Sequence, residues 1–144
     1  MKNILKGMIA LFIATSLYAV EGTKMTVYKS PYCGCCTKWV DIMKSKGFEV
    51  KTIMTNEVNI IKEKAGLQAG QTSCHTAFVD GYVVEGHVDY SAIKKMLTEK
   101  PNIIGITAPG MPIGSPGMEQ GNKKDKYDIL YVNKDGSTGV YEAH

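Results

Sequence analysis

Arginine is absent from this chain of 144 residues, whose positive side chains other than histidine are all lysines, 17 of them. The planar, bidentate grip on phosphate that arginine supplies is therefore missing. No clustered basic stripe compensates for it, so nucleic acid is not an expected partner. No apolar run reaches the ~20 residues of a membrane-spanning helix. Internal repeats and low-complexity tracts are lacking, and no carboxylate cluster matches the density of the cysteines. No cysteine precedes Cys33, which leaves no lipid-attachment residue near the N-terminus.

What is present begins with Lys2 and Lys6, followed by an apolar run from Met8 to Ala14 and then Leu17-Tyr18-Ala19, which ends on a small residue. That is the layout of a secretory signal peptide over residues 1–19, the alternative being a retained anchor helix. Cleavage would leave fifteen lysines against fourteen acidic residues. In a bacterium such a chain is expected in the periplasm, without stable membrane association. Thiols in that oxidising compartment are paired, metal-bound or actively kept reduced.

The remainder is long enough for one domain with its own core. Met25 to Tyr28 reads as a strand ended by Ser30-Pro31. A helix follows, with Trp39, Ile42 and Met43 on one face and Gly47 as its stop. Phe48 to Thr55 reads as a second strand, and Val58, Ile61 and Ala65 have helical spacing. Ala77-Phe-Val and Tyr82-Val-Val flank Asp80-Gly81, a strong hairpin signal. Tyr90, Ile93 and Leu97 mark a third helix. The order β-α-β-α-β-β-α is thioredoxin-like, which makes the chain an α/β protein. From Pro101 to Gly121 lie four of the five prolines and five glycines, so regular structure is not expected there. Ile129-Leu-Tyr-Val and Gly139-Val-Tyr, around Lys134-Asp135-Gly136, predict a terminal β-hairpin. The expected division is a domain over residues 24–121 and a hairpin extension over 122–144.

Three of the four cysteines fall in Cys33-Gly-Cys-Cys36 at the first strand-to-helix junction. Cys33 and Cys36 have the C-x-x-C spacing of a redox pair, whose first thiolate is stabilised by free N–H groups at the helix start. Such a pair gains nothing obvious from Cys35. Three thiolates together make a dense soft-ligand cluster instead; a disulfide with a spare thiol, or one to Cys74, stays open as an alternative. Cys74-His75 precedes the third strand, where a thioredoxin carries a cis-proline, and no proline stands there. This loss argues against an ordinary disulfide exchanger.

His87 follows the hairpin. Met111 and Met118 lie in the Gly/Pro-rich loop, where there is no helix face for them to serve. Met43 and Met96 are expected in helices, and Met25 and Met54 in strands. Thiolate and thioether select Cu(I), whereas thiolate and imidazole alone also suit Zn(II). The methionines favour copper, and the set is larger than one zinc ion needs. A polynuclear Cu(I) cluster would employ the third cysteine as a bridge.

Tyr28 to Trp39 (Y-K-S-P-Y-C-G-C-C-T-K-W), Cys74 to His87 and Ala108 to Glu119 resemble the bacterial copper-resistance proteins of the CopG type. The resemblance covers roughly Met25 to Glu119. It implies a thioredoxin-like fold, a periplasmic location and a cysteine-bridged copper cluster beneath the methionine-bearing loop. The expected ligands are Cys33, Cys35, Cys36, Cys74, His75 and His87, with Met111 and Met118 weaker. Cys33 and Cys36 are also the expected redox pair, able to support interconversion of Cu(I) and Cu(II). Expected partners are copper ions and another periplasmic copper or redox protein. A thiol-disulfide oxidoreductase and a zinc-stabilised binding module are the competing readings.

Overall fold

The structure, a computed structural model, describes residues 20–144, and the expected signal peptide at 1–19 lies outside them. Along these residues run β1 (Lys24–Lys29), α1 (Gly34–Ser45), β2 (Glu49–Met54), α2 (Val58–Lys64), β3 (His75–Val79), β4 (Tyr82–Glu85), α3 (Tyr90–Glu99), β5 (Gly105–Thr107), β6 (Asp128–Val132) and β7 (Thr138–Ala143). The strands form one sheet in the order β2-β1-β3-β4-β5-β6-β7. β1 and β2 are parallel across the α1 crossover, while β3 is antiparallel to both β1 and β4. The first half of the chain is thus the thioredoxin-like arrangement that the element order predicts. Among the described residues no helix is long and apolar enough to cross a membrane.

Short-range chemistry accounts for most of these elements. Asp80 and Gly81 both take positive φ, 46° and 80°, the pair of left-handed conformations that matches the twist of a tight hairpin. That turn sets the register Thr76↔Glu85 and Ala77↔Val84. Side chains then alternate across the sheet. Ala77, Val79 and Val84 enter the main core, while Phe78 and Val83 join a smaller cluster on the other face.

α1 buries Cys36, Trp39, Val40 and Met43, and α3 buries Ala92, Ile93, Met96 and Leu97. Both faces meet in the main core. The indole N–H of Trp39 donates to the Val88 carbonyl at 2.8 Å, so the bulkiest core side chain leaves no polar atom unsatisfied. α3 starts at Asp89, whose Oδ1 accepts from the Ala92 N–H at 2.8 Å, a cap worth about 1 kcal/mol.

Two expectations are corrected. On α2 the apolar spacing predicts a face of Val58, Ile61 and Ala65. Val58 is buried, but Lys62, one turn on, is buried as well, while Ile61 and Ala65 are only half covered. The reason is a buried partner, Glu85, described below. The second correction falls in Pro101–Gly121, where β5 runs parallel to β4 and antiparallel to β6. Its Ile-Thr pair is strand-forming, and neighbours on both sides complete its hydrogen bonds. Regular structure is absent from 108 to 119, where the Gly/Pro composition governs.

The terminal hairpin forms as expected, and through β5 it extends the same sheet. Beyond β7, His144 stacks on Tyr127 at 5.0 Å, and its Nε2 stands 2.9 Å from Asp89 Oδ2. The end of the chain is thereby held against the start of α3.

Candidate metal centre

Three junctions of the fold meet at one point: the N-terminus of α1, the start of β3 and the chain just after β4. Cys33 is the N-cap of α1, its Sγ accepting from the Cys36 N–H at 3.3 Å. One helical turn then places Cys36 inward and fully buried, with Cys35 half exposed. Cys33 and Cys36 are joined as a disulfide, while Cys35 and Cys74 are free thiols. Cys35 Sγ lies 3.4 Å from Cys33 Sγ.

β3 begins at His75, two residues earlier than the apolar run predicts. His75 pairs in register with Lys29 at the end of β1, and its carbonyl accepts from the Gly86 N–H at 3.0 Å. That pairing draws the Cys74 end of β3 toward both the cysteine loop and His87. Cys74 Sγ is 3.4 Å from His75 Nδ1 and 3.0 Å from His87 Nε2. Gly86 makes the approach feasible. Its φ is +75°, and a Cβ there would run into the Ser73 side chain and the Ala108 carbonyl.

The two imidazoles are prepared differently. His87 Nδ1 stands 2.7 Å from the Pro116 carbonyl. A carbonyl only accepts, so Nδ1 carries the proton and Nε2 presents its lone pair toward Cys74. His75 is fully buried, with its ring 4.5 Å from Trp39 and 5.0 Å from His87. Its Nε2 is buried without a hydrogen-bond partner, a state that costs roughly 1–3 kcal/mol for a polar group.

Electrostatics keep both imidazoles neutral and Cys74 a protonated thiol. Burial, then the charges of His87, Lys62 and Lys29, hold His75 well below the ordinary imidazole range. His87 is also lowered, chiefly by burial, with Pro116 and Glu119 partly opposing. Burial pushes the Cys74 thiol up to about 11, opposed by the Ser73 hydroxyl and reinforced by Cys35.

Six of the eight expected ligand residues fall into two overlapping groups. Cys33, Cys35, Cys36 and Cys74 form one; Cys36, Cys74, His75 and His87 form the other. Within each group the ligand atoms lie within 4.8 Å of one another. Gly117 covers this cluster, because a Cβ on it would stand 2.9 Å from the Cys35 carbonyl and 3.3 Å from His87 Nδ1. Met118, the next residue, is half-buried, whereas Met111 is 48% exposed.

Residues that the sequence reading missed lie behind the cluster: Glu85, Lys62 and Thr76 form a buried polar network. The one available signal was Glu85, which strand alternation puts on the same face as the buried Val83; the apolar spacing of α2 does not mark Lys62.

A family described as a protein of unknown function, DUF411, matches residues 71–118. The chain is also similar to two solved structures of copper resistance protein copG, Form 2 and Form 1. Each is 34% identical over 86% of this chain, covering 99% and 98% of theirs, with TM-scores of 0.82 and 0.81. No curated protein sequence matches the chain.

Proposed function

This chain belongs to the CopG family of copper-resistance proteins, and we propose on that premise that it is an exported, periplasmic protein holding Cu(I) on a cysteine-bridged cluster. The observation that carries the reading is the sharing of Cys36 and Cys74 by both ligand groups. Six donor residues therefore form one continuous set rather than two separate sites. Four sulfurs and two imidazoles, without a carboxylate among them, are a soft-donor set suited to Cu(I). They exceed the four ligands of a structural zinc site. The unpartnered Nε2 of His75 and the lone pair of His87 Nε2, 3.0 Å from Cys74 Sγ, fit the same role.

When bound, copper supplies a one-electron couple between Cu(I) and Cu(II). The residues of the chain prepare the site for it. Opening the Cys33–Cys36 disulfide takes two electrons and two protons, supplied by an external dithiol, and yields two thiols. Only then can all four sulfurs ligate. Cys74 gives up its proton as it ligates, so binding is proton-competitive. His75 and His87, held neutral, offer lone pairs near neutral pH. Pro116 orients His87 through its carbonyl and Gly117 packs against Cys35 and His87, and Met111 and Met118 would add weaker thioether contacts from the loop.

Metal analysis of protein purified anaerobically from the exported fraction tests the reading. More than one equivalent of copper per chain is expected, retained against a moderate chelator. A single zinc ion would favour the zinc-stabilised binding module instead.

The Cys33–Cys36 disulfide at the start of α1 favours a second reading, thiol-disulfide oxidoreductase. Insulin reduction with dithiothreitol, compared with a thioredoxin control, discriminates the two. Weak activity is expected, and activity near the control would put the oxidoreductase first.

A further inference from the structure

Glu85, the last residue of β4, is fully buried, and Lys62 on α2 is 5% exposed. Glu85 Oε1 accepts from the Ser73 backbone N–H at 2.8 Å and from Lys62 Nζ at 2.5 Å. Oε2 accepts from the Thr76 hydroxyl at 2.6 Å, and Lys62 Nζ also donates to Thr76 Oγ1 at 2.9 Å. Ser73 and Thr76 are the residues on either side of Cys74-His75. A single carboxylate therefore grips both ends of a two-residue ligand segment. Strand alternation puts Thr76 on the face opposite His75, so the grip comes from behind the ligands.

Stability alone does not demand such a pair. Buried ion pairs are often replaced by apolar residues of similar volume without loss, and the helical spacing of α2 would accept an aliphatic residue at 62. An aliphatic side chain at 85 could not serve Ser73, however, whose N–H donates to Glu85 Oε1. That N–H lies outside the β3 ladder, which starts at His75, and needs an acceptor of its own. Charge-assisted bonds of this kind are roughly twice as strong as neutral ones. The grip extends to the covering loop as well. Ser73 Oγ donates to the Gly110 carbonyl at 2.5 Å, and the Gly110 N–H donates to the Thr72 carbonyl at 3.0 Å.

We infer that Glu85, neutralised by Lys62, is a positioning residue that fixes Cys74 and His75 for metal, an inference that rests on the copper-binding reading above. Its hold on Ser73 is the decisive contact. Two double variants separate that contact from the charge. Lys62→Met with Glu85→Gln removes both charges but keeps an acceptor for Ser73. Lys62→Met with Glu85→Leu removes the acceptor too.

Cu(I) affinity of the reduced proteins is read by competition with a chromophoric Cu(I) chelator, beside the urea midpoint of each metal-free protein. The glutamine pair should bind close to the parent, and the leucine pair about 10–100-fold more weakly, the usual loss for an outer-shell partner. Equal affinity in the two folded variants overturns the inference. A second readout needs no variant. In the metal-free parent the Ser73 amide should exchange far more slowly than solvent-exposed loop amides, although it lies outside the strand. Fast exchange at Ser73 would overturn the inference even if the leucine pair failed to fold. Protection of Ser73 without any copper binding by the parent would instead sink the copper reading.

Discussion

Cys74 Sγ lies 3.0 Å from His87 Nε2, across thirteen residues of sequence. The contact is a product of the β3–β4 register, continued one step beyond the ladder by Gly86.

That dependence makes Gly86→Ala informative. The left-handed φ of +75° and the nearby Ser73 side chain both oppose a methyl group. Backbone strain of this kind costs about 1–3 kcal/mol. The variant should show a lower urea midpoint and weaker Cu(I) binding, because relaxation of Gly86 moves His87 away from Cys74. A parent-like midpoint and affinity together would show that the junction is not constrained as described.

Cys35 belongs only to the all-sulfur ligand group. Cys35→Ser should therefore lower the copper stoichiometry while Cys33 and Cys36 still form their disulfide. Copper analysis and thiol titration check the two halves of this statement. A full complement of copper in the variant would refute the bridging role.

The metal-free protein should lose stability at both ends of the pH scale. His75 and His87 have folded pKa values below the ordinary 6.5. The unfolded chain then binds the extra protons, so their contribution is present above pH 6.5 and is lost as pH falls through the folded values. Cys74 is raised from 9.0 to about 11. Its contribution is present below pH 9.0 and is lost as pH rises through about 11. Urea midpoints measured on the disulfide form should fall between pH 7 and pH 5. A flat profile there would contradict the burial of two neutral imidazoles.

Met111→Leu with Met118→Leu keeps apolar bulk and removes both thioethers. Such a swap costs under ~1.5 kcal/mol of stability when the role is packing. As ligands, the two should instead contribute to Cu(I) affinity, and increasingly so at pH 5, where protons compete for thiolate and imidazole but not for thioether. Unchanged affinity at pH 7 and pH 5 would return both residues to packing.

Legibility followed the range of the interactions. The start of α1 could be read from Cys33-Gly-Cys-Cys36 and the spacing of Trp39 and Met43, because capping and amphipathicity operate within a turn or two. β5 was hidden. Three residues in a Gly/Pro-rich context become a strand only when β4 and β6 stand on either side. Lys62 was hidden for a related reason, since nothing near it announces Glu85, twenty-three residues on.

By itself the sequence determined the cysteine triad at a helix start, the Asp80-Gly81 turn and the soft character of the donors, all properties of adjacent residues. Tertiary structure decided that Cys74, His75 and His87 come to lie beside that triad, and that a carboxylate grips the residues flanking Cys74 and His75. The physical reason lies in strand register. A hairpin turn fixes which residues oppose one another, and burial between sheet and helices then removes the water that would otherwise serve His75, Glu85 and Lys62. Those polar groups can be satisfied only by one another or by what binds there.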